Sequence, residues 1–73
     1  MIIEEYFGDH YYGNLIIQNY PNLQLIIVKN YSLKNLNSLK ICNCKKLKTI
    51  NLKNGVFYSV KKIVIESIVI FLI

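Results

Sequence analysis

The residues best suited to nucleophilic or metal chemistry are Cys42 and Cys44, a C-x-C pair, and His10, the one histidine of the chain. A structural zinc site needs four sulfur or nitrogen ligands, so these three make an incomplete set. A catalytic pairing would use Cys42 as nucleophile and His10 as base. Nothing around either residue supplies a third group to orient the histidine or a donor to hold an oxyanion. In a strand-to-turn reading, Cys42 takes an exposed strand position and Cys44 follows in the turn, pointing inward. Cys44 then reads as a small buried residue and Cys42 as an exposed thiol. The chain is accordingly expected to be no enzyme and to hold no cofactor and no metal.

Two further groups could bind rather than react. Tyr6, Phe7, Tyr11 and Tyr12 lie beside Glu4, Glu5 and Asp9, while all nine lysines fall between Lys29 and Lys62, a span without an acid. Stacking aromatics with lysines would suit a nucleic acid. Here the aromatics accompany acids instead, and the chain has no arginine for bidentate phosphate or base contacts. The aromatic segment reads as an acidic N-terminal cap over residues 1–11. The lysines, which form no single stripe, read as solvated surface. Nucleic-acid binding by a small basic protein stands as the alternative function.

The elements that must position these residues are constrained by size. A chain of 73 residues makes one small domain and buries only about 60–65% of its unfolded surface. Thirteen Ile, nine Asn, nine Lys and six Tyr make up half of it, a bias that AT-rich codons produce, which tempers the meaning of the net charge of +5. The start Met1–Asp9 is acidic and broken, unlike a secretory signal, so a cytoplasmic setting with reduced thiols is expected. The apolar run Ile63–Ile73 is eleven residues long, against the roughly 20 that a spanning helix requires.

Sliding the chain by twenty-four residues aligns Leu15-Ile-Ile-Gln-Asn19, Leu39-Lys-Ile-Cys-Asn43 and Ile63-Val-Ile-Glu-Ser67. Tyr12, Leu36 and Val60 form a further column, as do Leu23, Leu47 and Phe71. Ile26 matches Ile50 with Ile2 one period upstream, Val28 matches Leu52, Leu33 matches Phe57, and Lys29-Asn30 recurs as Lys53-Asn54. Leu39-x-Ile41 alternates as a strand with one buried face does. Tyr20-Pro21-Asn22 and Asn54-Gly55 are turn signals. A strand, a turn and a return segment in every period set successive strands side by side and parallel. Leu15, Leu39 and Ile63 then form one inner row, and Ile17, Ile41 and Ile65 the next.

The segment Leu36-Asn-Ser-Leu39-Lys-Ile41-Cys-Asn-Cys44, with Leu47 and Ile50 after it, resembles a cysteine-type leucine-rich repeat. Tyr12-x-x-Leu15-x-Ile17 and Val60-x-x-Ile63-x-Ile65 are degenerate versions of it. The family's loop asparagine or cysteine falls on Cys44, with Tyr20 and Ile68 at the equivalent positions. The resemblance covers residues 12–73, as repeats 12–35, 36–59 and a partial 60–73 with an uncapped C-terminus. It implies an α/β solenoid, a short stack of about three parallel strands with irregular or short helical returns.

In that family the exposed strand positions carry recognition. Here they are Asn14, Ile16 and Gln18, then Ser38, Lys40 and Cys42, then Lys62, Val64 and Glu66. So mixed a surface suits a protein or peptide ligand better than a phosphate backbone. The expected function is a non-enzymatic binding module, a fragment of a larger repeat protein. Ile68–Ile73 offers self-association, or, as a further alternative, attachment to a membrane surface.

Overall fold

The computed structural model describes residues 1–66 and the backbone of residues 68–71, and it is built from strands. They are β1 (Ile2–Ile3), β2 (Asn14–Gln18), β3 (Leu25–Val28), β4 (Ser38–Cys42), β5 (Thr49–Leu52), β6 (Lys62–Ile65) and β7 (Ile68–Phe71). One sheet runs β1-β3-β5, and the other runs β2-β4-β6-β7. All pairs are parallel except β6-β7, which is antiparallel. The chain therefore forms three layers (β1 with β2, β3 with β4, β5 with β6), each giving one strand to either sheet.

The α/β solenoid implied by the leucine-rich-repeat resemblance is overturned. The described residues contain no helix, and the two parallel sheets remain separate without solenoid closure. The return segments, expected to be irregular or short helices, hold β3 and β5. The physical reason lies in their content. Leu25-Ile-Ile-Val28 is rich in β-branched residues, which favour the pleated sheet, and the connection from β2 to β4, residues 19–37, is taken up by that strand and the turns on either side of it.

The repeat does fix strand register. Leu15 faces Leu39 and Leu39 faces Ile63, while Ile17 faces Ile41 and Ile41 faces Ile65, each a step of twenty-four. In the other sheet Ile26 faces Ile50 and Val28 faces Leu52. At the start of the chain the step is one residue longer. Ile2 pairs with Ile27 and Ile3 with Val28, so Ile2 does not extend the Ile26 column. The extra residue lies between Gly8 and Gly13. Tyr11 N–H donates to Gly8 O as Leu36 N–H does to Leu33 O and Val60 N–H to Phe57 O. Tyr11, not Tyr12, thus holds the place of Leu36 and Val60.

The two sheets share one apolar core, concentrated in the middle layer. Leu36, Ile26, Val28 and Ile41 are at most 1% exposed. Leu15 and Ile63, the outer members of Leu39's row, are only half-buried. A middle layer is covered from above and below, and an end layer from one side only. Ser32 is buried as well, its hydroxyl donating to Lys29 O at 2.8 Å.

The turns use left-handed backbone at recurring positions. Asn19 and Asn43 have φ of 65° and 53°, Tyr31 and Gly55 have 59° and 68°, and Leu33 and Phe57 have 52° and 53°. Tyr6 and Gly8 occupy the equivalent places in the first layer, at 59° and 60°. Bulky residues pay strain in this region. They are held there by bonds between layers: Tyr6 N–H to Asn30 O, Tyr31 N–H to Asn54 O, and Leu33 N–H to Phe7 O. Tyr6 and Tyr31 stack with ring centroids 5.5 Å apart.

At the other end, Glu66 at φ 55° begins a reversal, and β7 returns along β6 with Ile65 facing Ile68 and Lys62 facing Phe71. The C-terminal run is therefore not a fourth parallel strand. Phe71 pairs with Lys62 and does not continue the Leu23–Leu47 column. Ser67, Leu72 and Ile73, which the sequence reading placed in the third repeat and the apolar tail, lie outside the described residues.

Candidate functional site

The outward face of β2-β4-β6 carries the residues that alternation selects. Asn14, Ser38 and Lys62 form one row across the sheet, and Ile16, Lys40 and Val64 the next. Gln18 and Cys42 face each other in a third. The first strand shows Ile16 at 55% exposure, and Lys40 and Lys62 are exposed beside it. Eight of the nine selected residues thus share one surface.

Four members of this surface, Asn14, Ser38, Gln18 and Cys42, bond in pairs across the layers. Asn14 Oδ1 accepts from Ser38 Oγ at 2.7 Å and from Asn37 Nδ2 at 3.1 Å. Gln18 Oε1 accepts from Cys42 Sγ at 3.4 Å. At the strand ends Asn43 Nδ2 donates to Asn19 Oδ1 at 2.8 Å. An asparagine pair therefore links the first two layers, one residue before Tyr20 and Cys44. Such bonds hold these side chains in fixed orientations on the sheet.

Glu66, the ninth residue, bonds to the turn that follows β4. Its carboxylate accepts from Cys44 N–H at 2.9 Å and Asn43 N–H at 3.3 Å. The Cys44 bond is the main force holding its carboxyl below the usual glutamate range. Partial desolvation opposes it, and the Asn43 bond and the nearby Lys45 charge add to it. A carboxyl with a depressed folded-state value stabilises the fold above its unfolded-state value and loses that contribution as pH falls through the folded one. Acid titration of stability is expected to show a loss beginning near the ordinary glutamate value of about 4.3, and Glu66→Gln to flatten it. Equal acid sensitivity in both proteins would show that Glu66 contributes nothing there.

The reactive residues are dispersed over separate elements. His10 lies in the first turn, its Nε2 3.8 Å from Asp9 Oδ1 and its side chain 88% exposed. Cys44 is buried, with Sγ directed to Cys42 O at 3.5 Å. Cys42 and Cys44 are both free thiols. Among the described residues no three His, Cys, Asp or Glu side chains gather in a group that could hold a metal.

A second surface was not singled out from the sequence. The lower face of the first layer, between the edges of β1 and β2, opens into two adjoining apolar cavities. One is about 360 Å³, lined by Phe7, Gly8, Tyr11, Leu15 and Leu33. The other is about 270 Å³, lined by Ile2, Ile3, Glu4 and Phe7. Phe7 is a wall of both. Tyr6, Phe7, Tyr11 and Tyr12, at this end of the chain, are 47–69% exposed. Gly8 stands where the layers above have Leu33 and Phe57, and Leu33 packs against it: a Cβ at Gly8 would lie 2.8 Å from Leu33 Cδ2. The signal was present in the sequence as the alignment of Tyr6 with Tyr31, a step of twenty-five, which places Gly8 against Leu33.

No protein-family model, curated protein or solved structure matches this chain. Among the described residues no helix is long and apolar enough to cross a membrane.

Proposed function

We propose that the chain is a non-enzymatic module that binds a protein or peptide through the outward face of β2-β4-β6. The observation that carries this reading is the registered grid of Asn14, Ser38, Lys62, Ile16, Lys40 and Val64, in which Ser38 is already bonded to Asn14. An exposed isoleucine flanked by small polar groups and two lysines offers an apolar anchor with directional contacts around it. The two free thiols agree with a reducing, cytoplasmic setting.

Selection of a random-peptide display library on the immobilised chain tests the reading. Enriched peptides are expected to lose about 2 kcal/mol of affinity, some thirtyfold, when Ile16 becomes Glu. They should be unaffected by Tyr58→Glu, at a residue 85% exposed in a distant turn. Peptides that bind both variants alike, or no enrichment, would defeat it. Nucleic-acid binding is the competing reading, since nine lysines give the chain its positive balance. It would show as affinity for an oligonucleotide falling steeply with salt.

A further inference from the structure

We infer that Asn54-Gly55 is a site of spontaneous deamidation, where asparagine converts to aspartate and isoaspartate and the joint between the second and third layers is loosened. Both residues are exposed and lie in the turn that follows β5. Of the nine asparagines, Asn54 alone precedes a glycine. The reaction begins when the main-chain nitrogen of the next residue attacks the side-chain carbonyl carbon. A side chain on that next residue obstructs the approach, and glycine has none.

An intramolecular attack is fast only where nucleophile and carbonyl are able to meet. Among the described residues, neither the Gly55 N–H nor the Asn54 side-chain amide takes part in a hydrogen bond. Asn54 is held through its main chain instead. Its N–H donates to Asn30 Oδ1 at 3.1 Å, and its O accepts from Tyr31 N–H at 2.8 Å. The other asparagines are restrained. The side-chain amides of Asn14, Asn19, Asn30, Asn35, Asn37 and Asn43 are each tied to a neighbouring layer by a hydrogen bond. Asn22 and Asn51 each precede a leucine.

As the bond from Gly55 N to Asn54 Cγ forms, the bond from Cγ to Nδ2 breaks. The Gly55 N–H proton passes to solvent base, Nδ2 takes up a proton and leaves as ammonia, and a succinimide ring remains. Water then opens the ring. Attack at Cγ restores the main chain and gives aspartate, whereas attack at the main-chain carbonyl leaves the chain running through Cγ as isoaspartate. Either product carries an ionised carboxylate at neutral pH, next to Lys53. Isoaspartate also lengthens the main chain by a carbon. Gly55 lies where the Tyr31 ring leans, a Cβ there being 2.5 Å from Tyr31 Cδ1, so the longer chain displaces the joint made by Tyr31 N–H and Asn54 O.

The test incubates the whole chain at body temperature and mildly alkaline pH, folded and in guanidinium chloride, and follows it by mass spectrometry after cleavage at lysine. In the folded chain the fragment 54–61 is expected to gain the mass difference between amide and acid at least tenfold faster than any other fragment. Aspartate and isoaspartate should both be found at position 54, and Asn54→Ser should abolish the change. Guanidinium should leave this rate nearly unchanged but speed conversion in the fragment 35–40, where Asn37 is released. Conversion at position 54 at least tenfold slower in the folded chain than in guanidinium would show that the turn locks the residue, and would overturn the inference. Equal conversion at another asparagine of the folded chain would overturn it too, as would aspartate without isoaspartate, the mark of direct hydrolysis. The isoaspartate form, separated by chromatography, is expected to unfold at lower denaturant concentration than the aspartate form. Equal midpoints would overturn the loosening of the joint.

Discussion

Replacing Leu36 by alanine is expected to cost about 2–5 kcal/mol of unfolding free energy, the range for emptying a large aliphatic side chain from a packed interior. Leu36 is fully buried in the middle layer. A domain of this size has roughly 4–11 kcal/mol to lose, at about 0.05–0.15 kcal/mol per residue. The variant should therefore unfold at much lower urea or temperature, and part of it should be unfolded at room temperature. Tyr11 is the matching residue of the first layer, 47% exposed, with its hydroxyl donating to Asn14 O at 2.8 Å. Its replacement by alanine is expected to cost only about 1 kcal/mol. Equal losses at the two positions in denaturant titrations would show that the core is not concentrated in the middle layer.

The second large effect is expected at Gly55. Its φ of 68° is a conformation that a β-branched residue adopts only under strain, at about 1–2 kcal/mol. It is also where Tyr31 leans: a Cβ there would lie 2.5 Å from Tyr31 Cδ1. The Tyr31 ring has little freedom to retreat, because its other neighbour is the stacked ring of Tyr6. Gly55→Val is expected to destabilise by about 3 kcal/mol, backbone strain and overpacking together. A double-mutant cycle separates the two causes. Adding Tyr31→Ala should relieve the steric part and leave the backbone part. Purely additive losses would mean that the tyrosine yields freely and that backbone strain is the whole cost.

These two sites show how far a repeat can be read from residues alone. The period of twenty-four was visible in Leu15, Leu39 and Ile63 and in Ile17, Ile41 and Ile65. It sets the register of three of the five described strand pairings, lengthening to twenty-five at β1 and ending at β7. Alternation also assigned the faces, since side chains two residues apart must share one. That is why Ile41 is buried and Lys40 exposed. Asn54-Gly55 announced a turn for an equally local reason, the ease with which both residue types adopt positive φ.

What the returning segments do was beyond local reading. Leu25-Ile-Ile-Val28 has strand propensity, yet a family pattern that fixes only one strand per repeat leaves such a segment unassigned. It becomes a strand because Ile2-Ile3 and Thr49–Leu52 arrive alongside it, a pairing between residues more than twenty positions apart. The same holds for the two ends. Ile68–Phe71 is as apolar as a further parallel repeat would be, and only its antiparallel pairing with β6 sets its direction. The open groove depends on one residue inserted before Gly13, which moves Tyr11 into the place of Leu36 and puts Gly8 opposite Leu33. Periodicity, turn chemistry and face assignment are properties of neighbours along the chain, and the sequence determined them. Which segments pair, where the stack is left uncovered and which side chains meet there depend on contacts between distant residues, and the tertiary structure alone decided them.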